Sequence, residues 1–157
     1  MFELLFPFFL LVLFFLFLSI IWRLNARKYF SSGTVASAYD AWTQDKLLER
    51  LWGEHIHLGF YPSGKKSIDF RKAKVKFVHE LVKWSSLDKL PKGSRILDVG
   101  CGIGGSSRIL AEYYGFNVTG ITISPAQVKR ARELTPSRLN CNFQVMDALD
   151  LKFEDGS

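Results

Sequence analysis

At 157 residues the chain has room for one ordinary domain once a membrane segment is subtracted. Its net charge of +6 and its hydrophobic content of 48% average over two unlike parts, because all 21 Lys and Arg and 14 of the 15 acidic residues follow residue 22, leaving residues 23–157 at +7 (21 − 14). Two distant cysteines, Cys101 and Cys141, with no CxxC and no paired histidines, signal neither a disulfide framework nor a zinc site and fit a reducing compartment.

Residues 4–22 are apolar apart from Pro7 and Ser19. As a helix of 19 residues they would extend about 28 Å, enough to span a bilayer. Glu3 is the only early charge, and Arg23, Arg27 and Lys28 follow the run, so it reads as an uncleaved anchor rather than a signal peptide. Ala36-Ser37-Ala38 lies too far downstream to serve as its cleavage site. The basic residues predict a single-pass N-terminal anchor with the rest of the chain cytoplasmic, and Trp22 and Tyr29 suit the interface.

Ser31-Ser32-Gly33 reads as a hinge. Val35, Tyr39, Trp42, Leu47, Leu48, Leu51 and Trp52 then recur at helical spacing and predict one or two short helices ending at Gly53. Residues 53–66 (GEHIHLGFYPSGKK) have no sustained period and predict a loop dense in aromatic and ionisable side chains. Ser67 can cap a helix with an apolar stripe of Phe70, Ala73, Phe77, Val78, Leu81 and Trp84, and with Lys65, Lys72, Lys76 and Lys83 on another face. Residues 65–95 hold ten Lys or Arg against Asp69, Glu80 and Asp88. This basic stretch reads either as a solvated helix face or as a contact with an anionic membrane, and no nucleic acid partner is expected.

After the turn Leu90-Pro91-Lys92-Gly93, residues 95–99 predict a short strand and residues 106–114 a helix stopped by Gly115. Residues 117–123 predict a second strand. Ser124 and Pro125 then provide an N-cap and a first helical residue, and Pro136 excludes continuation much past Leu134. Residues 142–146 predict a third strand. Strands alternating with helices indicate an α/β fold with a parallel sheet.

Leu97-Asp98-Val99-Gly100-Cys101-Gly102-Ile103-Gly104-Gly105 stands where the first strand gives way to a helix. Glycines there allow a sharp turn and close approach of a ligand to the backbone, and the helix start favours an anionic group. Gly100, Gly102 and Gly105 match the dinucleotide pattern GxGxxG, while Asp98 with Gly100, Gly102 and Gly104 matches DxGxGxG of S-adenosylmethionine (SAM) enzymes. A dinucleotide site usually places an acid about 20 residues further on, and Gly120-Ile121-Thr122-Ile123-Ser124 has none. That weakens the dinucleotide reading, and it leaves Thr122, nearby backbone and Gln127 for a SAM ribose. Asp147 is either an adenine contact or a loop-capping aspartate. His55 and His57, two apart in a loop, are poor evidence for a metal site, and none is expected. Cys101 has a helix start beside it to lower its pKa, but filling a tight turn explains it better.

Glu54-His55-Ile56-His57-Leu58-Gly59-Phe60-Tyr61, the glycine stretch continued to Ser106-Ser107-Arg108, Gly120-Ile121-Thr122-Ile123-Ser124-Pro125 and Phe153-Glu154-Asp155-Gly156 together resemble the tocopherol methyltransferase group, which is related to the sterol C-methyltransferases. The likeness runs from about residue 35 to residue 157 and is strongest to the branch in photosynthetic bacteria that methylates phytylbenzoquinones. It implies an α/β class I SAM-methyltransferase fold of Rossmann-like type, cut to strands 1 to 3. Residues 1–22 would be the transmembrane anchor, residues 23–94 a helical extension with a cofactor-covering loop, and residues 95–157 the half-domain. The resemblance places the methionine end of SAM on Asp98, Gly100, Gly102 and Gly104, its ribose near Thr122, Ile123 and Gln127, and its adenine near Asp147 and Ala148. Glu54, His55 and His57 become the candidate acid-base groups, although the same loop has an equally good structural reading.

The implied reaction is methyl transfer from SAM to a ring carbon of a prenylated benzoquinol, a lipid substrate of tocopherol and plastoquinone synthesis, with γ-tocopherol or a sterol as alternative acceptors. A non-catalytic, membrane-anchored SAM-binding fragment and a dinucleotide-dependent oxidoreductase are the competing classes. The family's sheet continues past the position of Ser157, so the 157-residue chain alone is expected to be inactive. The sequence names no protein partner.

Overall fold

The structure, a computed structural model, describes residues 2–25, 32–63 and 68–157. Residues 1–34 and 35–157 form two compact units. In the first, helix α1 (Phe2–Asn25) carries exposed apolar side chains from Phe9 to Ile21, with Phe14 and Phe15 edge to face at 6.0 Å. Among the described residues no helix is long and apolar enough to cross a membrane. The expected transmembrane anchor therefore rests on the sequence pattern and not on the structure.

The second unit spans the junction at residue 94, so the helical extension and the strands share one body. Helices α2 (Ser32–Gln44) and α3 (Leu47–Trp52) account for the first periodic stretch. Ser32 and Gly33 are the first turn of α2 and not a hinge, while Ser31 lies outside the described residues. Lys46 turns left-handed between the helices, Asp45 Oδ1 accepts the Leu47 N–H at 2.7 Å, and Gly53 at φ +84 ends α3. Residues 53–63 contain no helix or strand, as the loop reading expected.

Helix α4 (Phe70–Trp84) begins without Ser67, which is outside the described residues. Asp69 is its cap, accepting the N–H groups of Arg71 and Lys72 at 3.0 and 3.1 Å, where a carboxylate also meets the positive helix end. The face that α4 buries differs from the expected stripe: Ala73, Lys74, Val78 and Val82 are inside, and Trp84 is 84% exposed. Val78 and Val82, one turn apart, meet the rest of the core, and Ala73 is covered by Gly59 of the loop.

Strands β1 (Arg95–Val99), β2 (Asn117–Thr122) and β3 (Cys141–Val145) form a parallel sheet in the order β1-β2-β3. Asp98 lies level with Gly120, and Gly120 with Phe143. Helices α5 (Gly105–Tyr114) and α6 (Pro125–Leu134) provide the crossovers. Gly115 at φ +71 ends α5, and Ser124 caps α6 by accepting the Gln127 N–H. One core joins Val78 and Val82 to Ile109, Leu110, Phe116 and Val118, and a second joins Cys101, Val128, Ala131 and Phe143. On β1, Leu97 and Val99 remain exposed at 40% and 52%.

Candidate functional site: a cleft at the ends of the strands

The turn after β1 is tied to β2, because the N–H groups of Gly100 and Cys101 both reach the Ile121 carbonyl, at 2.9 and 3.0 Å. Gly100, Gly102 and Gly104 take φ values of +75, +55 and +79, which side chains resist. A Cβ added at Gly100 or Gly102 would meet no protein atom within 4 Å, so both leave open space in front of the backbone. Gly104 and Gly120 are different, since a Cβ there would come within 2.8 Å of the Phe143 ring. Two of the glycines thus leave open space before the backbone and two make room for the core.

Beside this turn lies a cleft of about 330 Å³ lined by Tyr39, Ile56, Gly100, Ile123, Gln127 and Ala148, among others. Thr122 and Gln127 are both buried and bonded to each other, the Thr122 hydroxyl donating to Gln127 Oε1 at 2.7 Å. Thr122 also accepts the Ser124 N–H at 3.3 Å, and Thr122 and Gln127 both line the cleft. Asp147 is held as a turn cap: its Oδ1 accepts the Leu149 N–H at 3.0 Å, and its neighbours Met146 and Ala148 are the residues that line the cleft.

Asp98 accepts a hydrogen bond from the Ser107 hydroxyl at 2.6 Å. Burial pushes its carboxyl above the usual aspartate value, against the opposing pull of Ser107 and the nearby His57. Burial, and then the charge of Asp98, push the Cys101 thiol up to about 12, and its contacts with Val128, Ala131 and Phe143 mark it as filler of the turn.

The loop after α3 packs directly on the start of α5. A Cβ at Gly105 would stand 2.8 Å from both the Glu54 carbonyl and His55 Cε1, so a glycine is needed for this approach. Glu54 is committed to Arg108, whose buried guanidinium reaches Glu54 Oε2 at 2.5 Å, the Ile103 carbonyl at 2.8 Å and Thr135 Oγ1 at 3.2 Å. Burial, followed by the charge of His57, holds the His55 imidazole at about 4, so it is neutral near pH 7. His57 Nδ1 faces the Leu58 carbonyl at 2.8 Å and must carry the proton there, because a carbonyl only accepts. Its Nε2 faces His55 Nδ1 at 3.1 Å.

Four residues here, Asp40, Tyr39, Lys74 and Arg108, are not among the site residues the sequence pointed to. Asp40, one residue from Tyr39 of the cleft, accepts the Ser124 hydroxyl and, at 3.0 Å, the Ala126 N–H, so it fastens α2 to the start of α6. Tyr39 was read only as a helix face. Lys74 is buried, and its ammonium donates to the Trp52 and His55 carbonyls at 3.0 and 2.7 Å. Arg108 lay inside the quoted glycine motif, four residues after Gly104, but only folding brings Glu54 to it.

Residues 96–157 match a family model described as a methyltransferase domain. The chain is 59% identical over 137 residues to a 2-methyl-6-phytyl-1,4-hydroquinone methyltransferase from Synechocystis sp., covering 87% of this chain and 43% of that protein. It is 40% identical over 120 residues to a chloroplastic tocopherol O-methyltransferase from Arabidopsis thaliana, covering 70% of this chain and 34% of that one. The chain thus spans less than half the length of these curated relatives. Among solved structures, the [4+2]-cyclase SpnF aligns at a TM-score of 0.66 and 28% identity, over 78% of this chain and 45% of that one. A protein from Galdieria sulphuraria assigned as a sarcosine dimethylglycine methyltransferase aligns at 0.63 and 27%, over 76% and 46%. A cyclase and a methyltransferase on one scaffold show that the fold alone does not choose the reaction.

Proposed function

We propose that the chain supplies the cofactor half of a SAM-dependent C-methyltransferase whose acceptor is a prenylated benzoquinol of the 2-methyl-6-phytyl type. The observation that carries this reading is the glycine turn after β1, where Gly100 and Gly102 have positive φ with open space before them and Gly100 lines a cleft at the ends of parallel strands. A ligand reaching that space meets backbone and not side chains, at the sheet end where α/β folds bind ligands. The choice of acceptor follows the 59% identity to the Synechocystis enzyme.

SAM, when bound, supplies an electrophilic methyl group on a sulfonium. The glycine turn and Asp98 hold its amino-acid end near the start of α5, Gln127 is placed for the ribose, and Ile123, Met146 and Ala148 offer apolar surface to the adenine. Asp147 takes part through the turn it caps. The loop from Gly53 shields the site from water, which strengthens the alignment of acceptor and methyl. Of the three acid-base candidates, Glu54 is occupied by Arg108, His55 is held neutral, and His57 has Nδ1 on the Leu58 carbonyl and Nε2 on His55 Nδ1, so a phenolic proton reaches His57 Nε2 only if the His55–His57 contact opens. Loss of that proton enriches the ring carbon that attacks the methyl.

Residues 1–22 serve as a membrane anchor in this proposal. The support is the sequence pattern, an apolar run over residues 4–22 with Arg23, Arg27 and Lys28 after it, which keep the remainder on the cytoplasmic side. The test is a chimera in which residues 35–157 replace the matching segment of the Synechocystis relative. Radiolabelled methyl should pass from SAM to the phytylbenzoquinol in detergent, and to γ-tocopherol and sterol more slowly. Absence of SAM binding by a folded chimera sinks the cofactor reading. Faster transfer to one of the other acceptors sinks the substrate assignment.

A further inference from the structure

The loop that lines the cleft through Ile56 also carries Leu58, Phe60 and Tyr61 on its outer side, with Leu58 84% exposed. These side chains adjoin the first turns of α4. Phe60 donates its N–H to the Ala73 carbonyl at 2.9 Å, and Gly59 sits against Ala73. Phe70 continues the surface to Trp52, with ring centroids 6.1 Å apart and Trp52 49% exposed.

Cations are set into this aromatic surface. Lys76 Nζ lies 5.4 Å from the centroid of Phe60, Arg71 lies 5.2 Å from that of Phe70, and Lys74 lies 5.1 Å from that of Trp52. Residues 70–76 contain four cations, Arg71, Lys72, Lys74 and Lys76, and no acid. The nearest carboxylate in sequence, Asp69, is used as the α4 cap. A contiguous exposed apolar patch on a protein surface marks an interaction site. Exposed Trp, Tyr and Phe at headgroup depth, with lysine and arginine beside them, is the composition that binds an anionic bilayer.

We propose that Trp52, Leu58, Phe60, Tyr61 and Phe70, with Arg71, Lys72 and Lys76, form a docking surface for an anionic lipid bilayer. Charge complementarity selects the bilayer, and the fully outward Leu58 favours an apolar medium over the stacked bases of a nucleic acid. Since Ile56 of the same loop lines the cleft, docking sets the cleft mouth at the membrane surface. The purpose rests on the lipid acceptor proposed above, whereas the surface itself stands on its own residues.

The test uses the full chain, with Leu58→Cys carrying an environment-sensitive fluorophore. Cys101 is buried and Cys141 half-buried, and burial raises the pKa of both thiols, so an exposed cysteine at position 58 is labelled ahead of them, with the parent chain treated alike as background. Anchoring by residues 1–22, as proposed above, would hold the chain on vesicles of any charge, so the readout is depth at position 58 and not sedimentation. On phosphatidylserine vesicles the label should shift to the blue, gain several-fold protection from iodide and be quenched by brominated lipid. A label at Arg138→Cys should stay in water. Phosphatidylcholine vesicles, or Lys72→Glu with Lys76→Glu, should abolish the protection. Equal iodide access on both lipids overturns the proposal. So does protection that appears in detergent with rising protein concentration or on adding single-stranded nucleic acid, which would assign the surface to a second copy or to nucleic acid. If the variants unfold, the lipid comparison on the parent chain still decides. With methylation measured in the chimera described above, a water-exposed label beside active quinol methylation removes the docking alone, and a docked label beside a folded but inactive chimera removes the function alone.

Discussion

Two glycines three residues apart should fail in different ways when each becomes alanine. At Gly102 the added Cβ meets no protein atom within 4 Å, so the cost to folding is conformational and comes from φ +55. A left-handed non-glycine residue costs about 1 kcal/mol, a few degrees in Tm for a domain of this size. The same Cβ stands where a ligand would approach the backbone, so SAM affinity should fall at least tenfold, or about 1.4 kcal/mol. At Gly105 the added Cβ would lie 2.8 Å from the Glu54 carbonyl and from His55 Cε1. Backbone cannot swing aside as a side-chain tip can, so the loop must move and the Glu54–Arg108 contact loosens with it. Overpacking of that kind costs about 1–3 kcal/mol. Thermal unfolding and calorimetry with SAM on both variants of the chimera should show Gly102→Ala stable but deficient in binding, and Gly105→Ala deficient in both. Unchanged SAM affinity in Gly102→Ala, or a Gly105→Ala protein as stable as the parent, would refute the division of the glycines between ligand and core.

Arg108→Met should destabilise the chain by about 2 kcal/mol in urea unfolding, below the range for a fully buried pair because water can reach the half-exposed Glu54, and Glu54→Gln should cost less than half as much. Asp40→Ala should cost about 1 kcal/mol through loss of its bonds at the start of α6, and should raise proteolysis within α2, which protection equal to the parent would contradict. His55 is depressed to about 4 from an unfolded value near 6.5, so its contribution is complete above about pH 6.5 and is lost as pH falls toward 4, where the unfolded chain takes the proton first. Asp98, raised by burial, acts in the opposite direction and favours the folded state at the acid end. Urea midpoints at several pH values in this range should therefore flatten in His55→Asn, and an unchanged slope would show that His55 is not the group responsible. Leu97→Lys with Val99→Lys should reduce self-association of the 157-residue chain in light scattering, since both project from an exposed edge strand.

The sequence by itself determined the alternation of strands and helices after residue 94, the glycine turn and the cap at Ser124-Pro125. These follow from local causes: β-branched runs, a serine before a proline, and glycines where the backbone turns left-handed. It also pointed to the family through motifs contiguous in the chain. What it could not show depends on contacts between distant segments. The cap of α6 is completed by Asp40, 84 residues before Ser124, and the partner of Glu54 is Arg108, 54 residues away. The buried face of α4 agrees with the predicted stripe at Ala73 and Val78 and departs from it elsewhere, because the apolar period alone cannot tell a face that meets the core from one that a loop only partly covers, and Lys74 goes inside because the carbonyls of Trp52 and His55 receive its ammonium. The same limit applies to Thr122 and Asp147. Residue type made both eligible ligand contacts, but only the tertiary structure showed Thr122 joined to Gln127 in the cleft wall and Asp147 Oδ1 capping the turn at Leu149.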